Sequence, residues 1–221
     1  MADRLLVEPT LERLRTRTSA KWRKYEPDVV PVWVADMDYA PAPAVCDVLA
    51  AHADVGDLGY ASAVDDDAYR DALVDWLRQQ HQWTVPLEHT HTLVDVLQGM
   101  AAAVAVHTEP GDGIVLQTPA YPPMFDIIET AGRRVIDNPM TTDHRLDIEL
   151  LSRQAADARA LLLCNPHNPT GRVFSEHELA AMVHIAADHD LIIISDEIHA
   201  DLVHPGHRHR PIAALDGAPE R

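Results

Sequence analysis

Apolar residues recur along the 221-residue chain in two rhythms. In the first hundred positions the spacing is helical. Val45, Val48 and Leu49 recur between Pro43 and about Ala53. Tyr69, Leu73, Trp76 and Leu77 mark one face of a second helix, whose start carries Asp65, Asp66 and Asp67, where negative charge complements the helix dipole. Val96, Leu97, Met100, Ala103 and Val104 line one side of a third helix reaching about His107, with Asp95 placed as its N-cap. Upstream, residues 10–25 predict a polar helix. Pro27, Pro31, Pro41 and Pro43 then interrupt the pattern, and 29–34 reads as a short extended piece.

Beyond residue 110 short apolar runs alternate with helical spacing. Strands are predicted at 114–117, between Gly111-Asp112-Gly113 and Pro119, and at 134–137, 160–164 and 191–194. Met124, Ile127 and Ile128 belong to a helix ending near Gly132. Ser175 and Glu178 form a capping box before Leu179, Met182, Val183 and Ala186. The runs are nearly continuous rather than alternating, as in strands covered on both faces. The expectation is an α/β domain built on a mostly parallel sheet.

Ligands of such sheets lie beyond the carboxyl ends of the strands. There the chain carries QTPAYPP, NPHNPTG and SDEIHADL, which deliver Tyr121, Asn168 and Asp196 to one edge. A carboxylate ending a buried strand requires a hydrogen-bonding or cationic partner. Asp196 is thus either a helix cap or loop ion-pair member, or the counter-ion of a buried cationic ring nitrogen. The two Asn-Pro pairs and Gly171 force a tight turn, with Asn168-Pro169 a candidate cis peptide. The helix start at Val96 offers backbone N–H groups to a phosphate.

Composition narrows the function. Hydrophobic residues make up 47% and charged residues 24%, enough for a buried core. Lys and Arg number 18 against 35 Asp and Glu, a net charge of −17 that argues against nucleic acid and anionic membrane surfaces as partners. Cys46 and Cys164 show no paired spacing, which fits a reducing compartment. No apolar run is long enough to span a bilayer and no signal peptide is visible, so a cytoplasmic location is expected. His199, His204, His207 and His209 cluster among 14 histidines but match no zinc spacing, so no metal is expected. There is no GxSxG elbow and no glycine-rich phosphate loop.

KWRKY at 21–25, PVWVADMDYAPAPAV at 31–45, GYAS at 59–62, TEPGDGIVLQTPAYPPMF at 108–125, NPHNPTGRVF at 165–174 and SDEIHADLVHPGHRHRP at 195–211 together resemble the fold-type I pyridoxal-phosphate enzymes of the class I/II aminotransferase superfamily. The similarity is strongest to the MalY/PatB-type cystathionine β-lyases. It implies the large-domain α/β/α sandwich, incomplete at its C-terminus, with residues 1–45 as an N-terminal arm and small-domain segment and 46–221 as a partial cofactor-binding large domain. It implies pyridoxal 5'-phosphate as cofactor and cystathionine or a cysteine conjugate as substrate. By that resemblance Asp196 pairs with the pyridine nitrogen, Asn168 donates to the ring's phenolic oxygen, and His199 stands where many relatives place a Tyr against the same oxygen. Tyr121 stacks on the ring, and Val96 and Leu97 offer backbone N–H groups to the phosphate. Tyr60 reaches the phosphate of a neighbouring subunit, which implies a homodimer, and Ala35 lies near the substrate carboxylate.

Two departures qualify the resemblance. Many relatives carry Gly where this chain has Asp95, and a carboxylate repels a phosphate unless it turns back as a cap. The Schiff-base lysine of these enzymes lies in an SKTFN-like motif that the chain lacks; Lys21 and Lys24 are its only lysines. The chain is therefore expected to be inactive alone and to contribute no catalytic residue of its own. An aminotransferase of the same fold, or a non-catalytic module, are the alternatives.

Overall fold

The computed structural model describes residues 8–60 and 62–218. The chain divides into two compact units between residues 61 and 62. In the N-terminal unit the single helix expected over 10–25 is two short ones, α1 (Leu11–Arg15) and α2 (Ala20–Arg23). Thr16 separates them: its N–H and hydroxyl both donate to the Arg13 carbonyl, at 3.2 and 2.8 Å, closing the first helix. Residues 29–34 form no strand. Helix α3 (Pro43–Val55) starts with Pro at its first turn and ends on Gly56 at φ +70°, a left-handed cap that favours glycine. It runs through the position between 45 and 46 and leaves Val45, Val48 and Leu49 exposed.

The C-terminal unit begins with α4 (Ala63–His81). Asp66 and Asp67 both bond Arg70 one turn on, while the side chain of Asp65 lies outside the described residues. Tyr69 and Trp76 remain exposed on its expected apolar face. Then follow α5 (Val96–His107), β1 (Gly113–Thr118), α6 (Pro122–Thr130), β2 (Arg134–Pro139), α7 (Ile148–Ala155), β3 (Ala160–Cys164), α8 (Glu176–Asp188) and β4 (Ile192–Asp196). Helix α7 has no counterpart in the expected elements. Leu151 and Ala155 lie one turn apart on its buried side, and the Asp147 carboxylate caps it by accepting the Leu150 N–H at 2.8 Å.

The four strands are all parallel, in the order β2-β1-β3-β4. Side chains alternate across the sheet, and so build two cores. On one face Ile114, Leu116, Leu162 and Cys164 meet Met100 and Val104 of α5 and Met124 and Ile128 of α6. On the other, Val115, Leu161 and Leu163 meet Leu151 and Ala155 of α7 and Leu179, Met182 and Ala186 of α8. This is the three-layer α/β/α arrangement that the continuous apolar runs require. Each such buried Leu or Ile contributes about 1.5–3 kcal/mol relative to exposure. Gly113 opens β1 because a Cβ there would stand 2.5 Å from both the Asp157 carbonyl and the Ile136 side chain.

Candidate active site at the carboxyl edge of the sheet

Parallel pairing brings the ends of β1, β3 and β4 to one edge; the segments after β1 and β3 carry Tyr121 and Asn168 there, and Asp196 is the last residue of β4. Tyr121 is the residue before α6 and is exposed. Asn168 sits in a turn bounded by Cys164, whose sulfur accepts its N–H at 3.5 Å. The Asn165-Pro166 and Asn168-Pro169 bonds of that turn are cis, as is Thr118-Pro119 after β1. Within the turn, burial holds the His167 imidazole down at about 4, with His144 and Arg172 adding to the effect. The ring is therefore neutral at physiological pH and bonds the Thr170 hydroxyl at 2.9 Å.

Asp196 is 4% exposed. One carboxylate oxygen accepts the Ile198 N–H at 3.0 Å, and no ion pair reaches Asp196 among the described residues. Burial pushes its pKa up, opposed by the Ile198 bond and the nearby His199. A buried carboxylate lacking a cation is chemically suited to a cationic ring nitrogen. In that chemistry the residues at this edge fit pyridoxal phosphate. His199 lies half-buried in the turn after β4.

Val96 and Leu97 form the first turn of α5. Asp95 turns back on the helix and accepts the Gln98 N–H at 2.8 Å, while the Gln98 side-chain amide oxygen Oε1 accepts the Val94 N–H at 3.1 Å. The carboxylate is thereby tied to the cap. A cleft of about 680 Å³ runs from Asp95 and Val96 to Ile194, Ser195 and Ile198, linking the helix start to the end of β4.

Tyr60 and Ala35 belong to the N-terminal unit, and both are exposed. There Asp38, the last residue of WVADMD, is a hub. It accepts from Lys21 Nζ at 2.7 Å and Trp22 Nε1 at 2.8 Å, with Arg17 at 3.4 Å. Desolvation raises its pKa, but these bonds prevail and hold it below the ordinary carboxylate value. Lys21 also donates to the Asp36 carbonyl at 2.5 Å, and Lys24 lies 4.0 Å above the Trp33 ring. KWRKY and WVADMD are therefore two halves of one contact, and both lysine ammonium groups are engaged in it.

Sequence reasoning missed the residues behind Asp196. Glu197 and His209 bond at 3.0 Å, and the Asn165 N–H donates to the Asp196 carbonyl at 2.9 Å. The signal available was the burial implied by DEIH after three isoleucines; local spacing does not pair Glu197 with a histidine 12 positions on. Among the described residues no group of three or more His, Cys, Asp or Glu could hold a metal ion, and no helix is long and apolar enough to cross a membrane.

The profile of aminotransferase class I and II matches residues 27–220. The chain is 36% identical to cystathionine β-lyase PatB of Bacillus subtilis, over 92% of this chain and 54% of that protein. It is 36% identical to cystathionine β-lyase of Corynebacterium glutamicum, over 90% of this chain and 53% of that protein. Among solved structures it resembles cystalysin from Treponema denticola, which contains pyridoxal 5'-phosphate: the TM-score is 0.85 at 30% identity, covering 98% of this chain and 57% of that one. The chain spans about half the length of the curated relatives it matches.

Proposed function

The chain belongs to the aminotransferase class I and II family, and from that premise we propose that it supplies the ring and phosphate contacts of a pyridoxal 5'-phosphate-dependent carbon–sulfur β-lyase. The observation that carries this reading is Asp196, a buried carboxylate without an ion-pair partner among the described residues, at the strand edge where such folds bind ligands. The names of the relatives favour the lyase over the aminotransferase alternative.

In this reading Asp196 would keep the pyridine nitrogen protonated, and Asn168 and His199 would serve the phenolic oxygen. Tyr121 would cover one ring face, and the N–H groups of Val96 and Leu97 would receive the phosphate. The bound cofactor supplies an electron sink for the substrate α-carbon. The substrate is an amino acid of the cystathionine or cysteine-conjugate type, placed with its carboxylate near Ala35. Cleavage of its Cβ–S bond, with water consumed, gives a thiol, pyruvate and ammonia. The exposed Tyr60 suits a residue that reaches a second copy, and the protein works as a cytoplasmic homodimer. Residues 1–45 act as an arm and small-domain segment and the rest as the cofactor domain.

Product analysis tests the activity. Residues 1–221 supplied with cofactor and cystathionine are expected to release no pyruvate, because Lys21 and Lys24 are engaged elsewhere. A holoenzyme containing these residues together with a cofactor lysine is expected to release thiol and pyruvate in equal amounts. Amino-group transfer to a 2-oxo acid without thiol would replace the lyase reading with the aminotransferase one.

A further inference from the structure

We infer that Glu197, His209 and Asn165 form a positioning network that aims the Asp196 carboxylate, and with it His199, at the cofactor ring. The inference rests on the cofactor reading above. Its starting point is a mechanical problem. Strand β4 ends the order β2-β1-β3-β4, so among the described residues only β3 pairs with it. A counter-ion on such a strand needs support beyond the ladder, since a functional group must be held to within about 0.5 Å.

The network gives that support through fully specified bonds. Glu197 accepts from the Ser195 hydroxyl at 2.9 Å, the Ile212 N–H at 3.0 Å and His209 Nε2 at 3.0 Å. Only 1% of the His209 side chain is exposed. Its Nδ1 faces the Asn165 amide nitrogen at 3.5 Å. The Asn165 amide oxygen already accepts the Phe174 N–H at 3.0 Å, so that nitrogen is oriented as the donor. The pattern assigns one tautomer to His209, with hydrogen on Nε2 and a lone pair on Nδ1. Asn165 closes the loop by donating its own N–H to the Asp196 carbonyl at 2.9 Å. Asp196 is therefore held through its backbone from β3 and through the adjacent Glu197 side chain.

A second arm holds the far end of the same segment. The His81 ring packs edge-on against His209 with centroids 5.5 Å apart, and its Nε2 meets Asp201 at 3.0 Å. The Ala200 N–H donates to the Glu197 carbonyl and the Leu202 N–H to that of His199, each at 2.9 Å, making the intervening turn compact. His199 thus sits between two anchored points.

The test titrates pyridoxal phosphate into residues 1–221 carrying His209→Leu, His209→Gln or Asp196→Asn, and records the resonance of an isotope-labelled ring nitrogen. His209→Leu is expected to weaken binding about tenfold, the worth of one bond to a charged group, and to move the resonance toward the unprotonated ring. His209→Gln, which retains an N–H donor, is expected to recover most of both. Wild-type affinity and resonance in His209→Leu, with both lost in Asp196→Asn, would overturn the inference. Unaltered binding in Asp196→Asn would instead sink the cofactor reading. In that case the ligand-free chain decides: exchange of the Asn165 amide hydrogen is expected at least about tenfold faster in His209→Leu at matched global stability. An unchanged rate refutes the network. If His209→Leu does not fold, Glu197→Gln carries the same readouts.

Discussion

Cys164 and Asp196 are register partners at the ends of neighbouring parallel strands. Both side chains lie in the same buried layer. Desolvation pushes the Cys164 thiol up to about 11, and the Asp196 carboxylate adds to the rise. At pH 8 only about 0.1% of such a thiol is thiolate, the nucleophilic form. Cys46 is exposed. Iodoacetamide at pH 8 is therefore expected to label Cys46 alone in the folded chain and both cysteines in urea, as read by mass spectrometry.

Asp196→Asn separates stability from binding. Burial raises the folded-state pKa of Asp196, so the folded chain favours the protonated carboxyl. The stability linked to that proton is complete below the unfolded value of 3.8, and is lost as pH rises through the folded value. Asn removes the buried charge. The variant is expected to raise the urea midpoint of the ligand-free chain at pH 7 and to give little gain near the acid end. Its affinity for pyridoxal phosphate should nevertheless fall by about tenfold or more, because a charge-assisted bond is lost.

The phosphate reading makes a charge-specific prediction at α5. Asp95 caps the helix through the Gln98 N–H. Ser also caps well but carries no charge. Asp95→Ser is expected to keep the thermal midpoint and tighten pyridoxal-phosphate binding several-fold at low ionic strength, with the gain shrinking in salt. Asp95→Ala, which loses the cap, should cost about 1 kcal/mol of stability. Equal affinities for all three proteins at low salt would remove the phosphate from this helix start.

What the sequence disclosed here was local. The Ser175–Glu178 box, the Asp95 cap and strand β3 match their expected places because each rests on residues a few positions apart. The convergence of Tyr121, Asn168 and Asp196 was legible because parallel pairing follows from continuous apolar runs. Helix α7 was not, since its buried Leu151 and Ala155 are diluted among Glu149, Ser152, Arg153 and Gln154. The Glu197–His209–Asn165 network spans 12 and 44 positions, so only tertiary packing brings it together. Likewise the break after Thr16 depends on a hydroxyl competing for a carbonyl, which apolar spacing does not report.

Packing at the base of the sheet offers a simple steric check. At Gly113 the nearest atoms to an added Cβ are the Asp157 carbonyl and the tip of Ile136, both at 2.5 Å. The Ile136 side chain can move, but the carbonyl is backbone. Gly113→Ala is expected to cost about 1–3 kcal/mol in urea unfolding, the range for overpacked sites.

Glu178 joins three segments. Its carboxylate accepts from Arg172 at 2.6 and 2.7 Å, from the Ser175 hydroxyl at 2.7 Å and N–H at 2.9 Å, and from the Leu146 N–H at 3.0 Å. Burial alone would raise its pKa; the bonds from Arg172, Ser175 and Leu146 outweigh that and hold it at about 2, against an ordinary 4.5. A depressed folded-state value means that the stabilisation is complete above pH 4.5 and is lost as pH falls through 2. At neutral pH it amounts to roughly 2–3 kcal/mol. Glu178→Gln keeps the size and one acceptor but loses the charge opposite Arg172. It is expected to destabilise the chain by about that amount at pH 7, and by progressively less as pH drops below 4.5. Urea unfolding followed by circular dichroism at several pH values measures both numbers. A penalty independent of pH would mean that lost packing, rather than the Arg172 pairing, accounts for the effect.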